Sequence, residues 1–429
     1  MEAIRPEAEV PLVGCPRTMA DLGMTPIFLK DHLLRTFYFE PVQTGFDLAK
    51  KTCIPLSIVD RLINELRNDS LLEVRGGAGE RKMSFKVTLT EKGRARGAEL
   101  VSVSSYAGAV PVPLEDYRRV VQAQSMLNAP VNRQDLDDAF THLVLSEDLL
   151  SQLGPAVNSG QSIFLYGPPG NGKTTIAEAI ACISGEGIMI PYALEVDGQI
   201  IKVYDPVNHT RLDSDEEDIE EIGGPDRRWV RCARPAMVAG GELTLGMLDL
   251  AFDRLSGYYE APLQMKANGG VLVIDDFGRQ SVSPRELLNR WIIPLEKRMD
   301  FFPLHTGKIF EAPFDVLIIF ATNLEPADLV DEAFLRRIQY SLFVGNPTPD
   351  QYVLIFRSIC EGHGIQVADE DIAYLMDQVY GPMGRQMRGC HPRDIVNHVI
   401  DICKYNGQQP HIDRELLDQA CASYFIQGI

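Results

Sequence analysis

The chain has 429 residues, 45% of them hydrophobic and 24% charged, and a formal charge of −19. It is long enough for two or three globular domains, and its acidity argues against a surface that holds nucleic acid non-specifically along its whole length, which takes clustered Lys and Arg. It has no run of about 18 apolar residues that would cross a membrane, and its opening residues MEAIRPEAEVPLVG lack the basic and apolar regions of a secretory signal.

Residues 1–22 are Pro-rich and read as an irregular leader. Between 23 and 105 the periodicity predicts helices over 27–39, 44–52 and 56–69, the last with Ile58, Leu62, Ile63 and Leu66 on one face. Strands follow at 71–76 and 84–90 around a Gly-rich turn, GAGERK (77–82), and a helix at 91–101 closes the unit. Three helices and a two-stranded wing resemble the winged helix-turn-helix domain. Residues 24–105 hold thirteen Lys and Arg against ten Asp and Glu, so this part is mildly basic and the acidity lies elsewhere. The expected recognition helix carries Arg61, Asn64 and Arg67 but also Asp60 and Glu65, and the wing offers Arg81 and Lys82. A DNA reader shows a clearer basic stripe. Protein docking is therefore weighed slightly above DNA binding for this domain.

AGAVPVP (107–113) reads as a linker, and a helix leads through the rest of 106–134. From 135 to 346 apolar strand-like runs, SIFLY (162–166), VLVID (271–275) and VLIIFAT (316–322), alternate with helical segments, as in a parallel α/β sheet buried on both faces. From 347 to 429 the pattern is helical throughout. DSDEEDIEE (213–221) reads as a solvated acidic loop. The eight scattered cysteines include no C-x-x-C pair, which favours free thiols in the cytoplasm over disulfides or zinc.

The segment GPPGNGKTT (167–175) has the G-x-x-x-x-G-K-[ST] spacing of a phosphate-binding loop. Gly167, Pro168, Pro169, Gly170, Asn171 and Gly172 would wrap main-chain N–H groups around phosphate oxygens. Lys173 would charge-pair with the β- and γ-phosphates, Thr174 would ligate Mg²⁺, and Thr175 continues the helix whose positive end faces the anion. VLVIDD places Asp275 at a strand tip to hold the magnesium shell and Asp276 beside it to orient or deprotonate an attacking water. VLIIFATN ends a third strand with Thr322 and Asn323, whose amide could reach between the γ-phosphate and that water.

In this order the motifs resemble the AAA+ ATPases over roughly 135–429, in general plan the MoxR-type chaperone-like members. The resemblance implies a P-loop α/β domain with a C-terminal helical lid, binding ATP and Mg²⁺. It implies Asn323 as sensor 1. DEAFLRRIQY (331–340) would hold the arginine finger, Arg336 or Arg337, acting on the neighbouring subunit's nucleotide. GCHPRDI (389–395) would supply a sensor 2 arginine, Arg393, with Arg388 as its rival. It further implies a homo-oligomeric ring, for instance a hexamer. Asp276 departs from the glutamate of many members, and its shorter side chain leaves open slow turnover. Two more stretches invite function: a hairpin over 300–315, and Tyr258 and Tyr259 as pore residues, for which ordinary packing is the simpler account. The expected function is an ATPase that remodels a protein partner chosen by the N-terminal domain. The alternatives are a DNA-associated helicase-loader-like protein or transposition helper, and a slow or non-hydrolysing ATP switch.

Overall fold

The computed structural model describes residues 13–75, 85–128, 130–183, 187–212, 224–329, 335–382 and 384–425. The wing turn with Arg81 and Lys82, the acidic run 213–221 and residues 330–334 ahead of Arg336 lie outside the described residues. Of the expected loose leader, 13–22 is anchored: the Asp226 N–H donates to Val13 O (2.7 Å), the Cys15 N–H donates to Gly224 O (3.1 Å), and Leu22 is fully buried.

Thr25 starts the first helix, α1 (Pro26–Phe39), by accepting a hydrogen bond from the Phe28 N–H, with proline in the first turn where no N–H is needed. A short strand β1 (Val42–Gln43) leads to α2 (Gly45–Thr52), which opens on a reciprocal Thr44–Asp47 capping box. Helix α3 (Leu56–Asn68) buries Ile58, Val59, Leu62, Ile63 and Leu66, the expected face with Val59 added. Strands β2 (Leu72–Arg75) and β3 (Lys86–Leu89) precede α4 (Glu91–Val103). The three strands form an antiparallel sheet in the order β1-β3-β2 over one apolar core.

The segment expected as a linker is not an exposed tether. Ala109, Val110 and Val112 are buried, the Val110 N–H donates to Thr52 O (2.8 Å), and the His32 imidazole Nε2 meets Gly108 O at 2.8 Å. Val112–Pro113 is itself a strand, β4, followed by α5 (Leu114–Ala123), α6 (Arg133–Ala139) and α7 (Glu147–Ser159).

Strand β5 (Ile163–Tyr166) and helix α8 (Lys173–Cys182) begin the α/β core. A β-rich insertion follows: β6 (Ile188–Pro191), β7 (Ala193–Val196), β8 (Gln199–Lys202) and β9 (Trp229–Cys232). Strand β10 (Ala236–Ala239) returns to the core, and β11 (Ala251–Asp253) and β12 (Tyr258–Glu260) leave it again. After α9 (Leu263–Lys266) come β13 (Val271–Ile274) and α10 (Pro284–Lys297). The expected hairpin is present as β14 (Met299–Pro303) and β15 (Ile309–Pro313), ahead of β16 (Leu317–Thr322), α11 (Pro326–Leu329) and β17 (Tyr340–Phe343).

The core sheet is parallel throughout, in the order β10-β13-β16-β5-β17. Its strands alternate between two buried faces. Ile163, Leu165, Val271, Val273 and Ile319 pack with α7 and α8, while Phe164, Leu272, Ile274 and Phe320 pack with Trp291 of α10. The insertion forms a second sheet, β11-β12-β8-β7-β4, which recruits the strand that follows the N-terminal domain. Here Tyr258 and Tyr259 are packed. Tyr259 is 1% exposed and its hydroxyl accepts the His305 N–H (2.7 Å), while the Tyr258 ring lies edge-on to Tyr106.

Beyond Pro347 the described residues are helical: α12 (Pro349–Gly362), α13 (Asp369–Tyr374) running into a π-helical turn, α14 (His391–Tyr405) and α15 (Arg414–Tyr424). They share a separate apolar core around Tyr352, Phe356, Leu375, Val399 and Leu417. No helix among the described residues is long and apolar enough to cross a membrane.

Candidate active site

Between β5 and α8 the chain turns through Gly167, Gly170 and Gly172, with φ of 133°, 82° and 79°. These are left-handed values that a side chain would strain, so the glycines let the backbone fold over the start of α8. The first N–H groups of that helix have no intrahelical partner and carry its positive pole. Lys173 is 7% exposed. Its ammonium donates to Gly167 O (2.9 Å), Pro168 O (2.9 Å) and Asn323 Oδ1 (2.6 Å). Burial lowers its pKa from the ordinary lysine value, and Asp275 and Asp276 oppose the shift.

Strand β16 runs between β5 and β13, so the three strands bring their C-terminal tips to one edge. There the Thr174 hydroxyl donates to Asp275 Oδ2 at 2.9 Å, and the Asp276 N–H donates to Asp275 Oδ1 at 2.9 Å. The Asn323 amide donates to Asp276 Oδ1 at 3.3 Å while its oxygen accepts from Lys173. One amide thus joins the loop lysine to the second carboxylate. Two hard oxygen donors, Thr174 Oγ1 and Asp275 Oδ2, stand side by side at a helix N-terminus, a donor set that fits Mg²⁺ completed by water and phosphate.

Asp276 is exposed and sits at φ 49°, a left-handed backbone uncommon outside glycine, asparagine and aspartate. Gln280, beyond the acidic strand, and the neighbouring strand tip hold it there. Gln280 Nε2 donates to Asp275 O (2.6 Å) and its Oε1 accepts the Gly278 N–H (2.9 Å). The Phe277 N–H donates to Ala321 O (2.8 Å), and the Thr322 hydroxyl donates to Phe277 O (2.8 Å). Gln280 braces the turn that carries Asp276, and no spacing marks it, since it lies in the turn beyond the strand.

On the outer side the loop meets the C-terminal helices. The Cys390 N–H donates to Gly170 O (2.7 Å), and the Gly389 N–H donates to Asn171 Oδ1 (3.0 Å). Arg388 Cδ lies 3.8 Å from where a Cβ on Gly170 would stand. The Arg393 guanidinium is engaged by Asp394 (3.2 Å) and 65% exposed. Arg337 Nε donates to Glu296 of α10 (2.8 Å); Arg336 is exposed. Thr175 is exposed at the start of α8. Beside the loop opens a cavity of about 370 Å³, lined by Leu145, Asn171, Val344, Asn346 and Gly389 among others. That is the size of a pocket for a small-molecule ring system. Its walls combine connector residues such as Val344, Gly345 and Asn346 with Leu149 and Gln152 of α7 and Gln351 and Ile355 of α12, brought together only by the fold.

A parallel sheet whose central strands end in a lysine-bearing glycine loop, an acidic pair and an asparagine defines a P-loop nucleotide-binding domain. More narrowly, the chain carries an AAA-type ATPase domain: residues 163–346 match the model of the ATPase family associated with various cellular activities (AAA). Residues 348–423 match a domain of unknown function (DUF8689). No curated protein matches the chain. Among solved structures it is similar to RuvB of Thermotoga maritima, a Holliday junction branch migration motor, at 15% identity and TM-score 0.36, covering 70% of this chain and 72% of that one. It is also similar to NtrX from Brucella abortus in complex with ADP, at 15% identity and TM-score 0.38 over 66% of this chain, and spans just over half, 56%, of the NtrX chain.

Proposed function

We propose that this protein binds ATP with Mg²⁺ and hydrolyses it, using the cycle to remodel or regulate a protein partner selected by the N-terminal domain. The observation that carries the reading is the continuous set Thr174–Asp275–Asp276–Asn323–Lys173, each member within hydrogen-bond distance of the next. In it, Lys173 and the loop amides bind and orient the triphosphate. Thr174 and Asp275 would hold Mg²⁺, which supplies positive charge to the phosphate oxygens. Asp276 accepts the proton of the attacking water, and Asn323 holds that water in line. The helical domain beyond Pro347 acts as a lid, with Arg388 the better placed of the two lid arginines. Arg336 or Arg337 acts on a neighbouring subunit in a ring; Arg336 is the more exposed of the two.

The N-terminal unit has the element order of a winged helix, and its α3 surface supports protein docking over DNA. Arg61 pairs with Glu65 (3.5 Å), and Asn64 is held between Asp60 (3.3 Å) and Arg67 (3.4 Å). The face neutralises itself rather than presenting free cations to phosphate. Turnover of Mg·ATP by the whole protein, beside Lys173→Ala and Asp276→Asn, tests the reading. Lys173→Ala should lose nucleotide binding, because it removes the charged donor to the β- and γ-phosphates. Asp276→Asn should keep binding and lose about 10²–10⁴ in kcat. Full turnover by Asp276→Asn would remove the base from the scheme. Binding without measurable turnover in the unmodified protein would make it a nucleotide switch. Tight duplex binding that weakens steeply with salt would instead put the N-terminal domain on DNA.

A further inference from the structure

The outer rim of the P-loop is tied to the C-terminal helices by side-chain amides that neither motif nor catalysis requires. Asn171 has both ends of its amide in use: its oxygen accepts the Gly389 N–H (3.0 Å) and its nitrogen donates to Asn346 Oδ1 (2.9 Å). Asn346 Nδ2 in turn donates to Gln386 Oε1 (3.0 Å). The three amides belong to three parts of the molecule. Asn171 is in the loop, Asn346 in the connector between β17 and α12, and Gln386 in the segment leading into α14. The backbones on either side are in close contact. A Cβ on Gly170 would stand 2.6 Å from Cys390 Sγ, and one on Gly389 would stand 3.3 Å from Gly170 O.

We propose that Asn346, bridging Asn171 and Gln386, is a positioning relay that sets the angle of the helical domain on the P-loop and couples that angle to nucleotide occupancy. The proposal rests on the nucleotide-binding reading of the loop. The inner face of residues 167–173 would hold phosphate, while the outer face of the same loop holds the helical domain, so a shift of the loop on either side is felt on the other. Asn346 lies in the connector about which such a domain would turn. Neutral amide bonds suit this task because each is individually weak and can be exchanged for another partner. Two alternative arrangements of a packed contact of this kind are what a switch needs.

The test compares the full-length protein with Asn346→Ala, Asn346→Asp and Gln386→Ala, using a fluorescent ATP analogue and its ADP counterpart with Mg²⁺, and amide hydrogen exchange of peptides covering 385–392. In the unmodified protein nucleotide should slow exchange at Gly389 and Cys390. Asn346→Ala should lose that protection and release ADP about five- to tenfold faster, the size of one lost neutral bond with its partner unsatisfied. Asn346→Asp keeps the acceptor for Asn171 and can accept from a rotated Gln386 amide, so it should recover most of the protection. Gln386 does not line the cavity beside the loop. Gln386→Ala should therefore reproduce the loss of exchange protection without touching nucleotide, and it keeps the proposal testable should Asn346→Ala fold poorly. Binding in all four proteins with unchanged protection and unchanged ADP release overturns the relay and leaves the nucleotide reading standing. No binding by the unmodified protein overturns that reading, and the relay with it.

Discussion

At Asp276 the proposed base also carries a conformational cost. A left-handed backbone on a side chain other than glycine costs about 1–2 kcal/mol, less for aspartate and asparagine. Here four contacts hold it: the two ends of the Gln280 amide, the Phe277 N–H on Ala321 O and the Thr322 hydroxyl on Phe277 O. Glycine at 276 would relieve the strain and discard the carboxylate. Asparagine tolerates the same backbone, which is why Asp276→Asn reads the chemistry without disturbing the turn. Gln280 touches no reacting group, so its effect should be one of aim. Gln280→Ala should lower kcat about tenfold, since a small misplacement of a base costs rate, while KM for Mg·ATP stays within about twofold because the loop and Lys173 are untouched. Steady-state kinetics separates the two. A rise in KM with kcat preserved would mean that Gln280 supports binding instead.

Among the elements, the interior strands were legible and the edges were not. β5, β13 and β16 are covered on both faces, so they read as uninterrupted apolar runs ending in the proposed site residues. β10 and β17 lie at the two margins of the same sheet and alternate buried with exposed positions over only four residues, too short a pattern to stand out. The second sheet was hidden for another reason. β4 pairs with β7, Val112 opposite Leu194, and a partner that far along the chain leaves no local signal. For the same reason the P-loop, Asp275 and Asn323 were readable, whereas the cavity walls and Gln280 required the fold. His32 was equally silent: α1 places its imidazole wholly inside, Nε2–H on Gly108 O and Nδ1 without a partner. Burial first, and Arg35 second, pulls its pKa from 6.5 to about 3. The folded protein therefore refuses a proton that the unfolded chain accepts below pH 6.5. Stability is complete above that pH and is lost as the pH falls toward 3, by up to about 1.4 kcal/mol per unit from this residue. Denaturant titrations between pH 7 and 5 should show the N-terminal unit weakening, and His32→Gln should flatten that slope. An unchanged slope in the variant would mean that other groups govern the acid response.

For the whole molecule, the N-terminal unit is built into the nucleotide-binding domain rather than hung from it. Arg228, 2% exposed, is paired at 2.7 Å with Asp226 and also donates to Leu22 O (3.0 Å) and Pro111 O (3.4 Å). One buried guanidinium thus knits the leader, the segment after α4 and the insertion, and removing it would strand Asp226 as an unpaired buried charge. A partner held by the N-terminal unit would therefore pull directly on the sheet inserted between the phosphate loop and the acidic strand. In the proposed ring, the remaining question falls on Arg336. Arg336, exposed where Arg337 is half-buried, is the first arginine to test for action across a subunit boundary. Arg336→Ala alone should bind ATP and turn over at least about 10³-fold more slowly, the scale of an arginine finger. Lys173→Ala alone should be inactive through loss of nucleotide. Mixed in equal amounts and allowed to exchange subunits, the two should regain activity, since about a quarter of the interfaces of a cyclic assembly would then pair an intact loop with an intact arginine. Mass photometry on the same mixture would report whether subunits exchange. Exchange without recovered turnover would place Arg336 outside the neighbour's site, and recovery by Arg337→Ala in its stead would move the role to that residue.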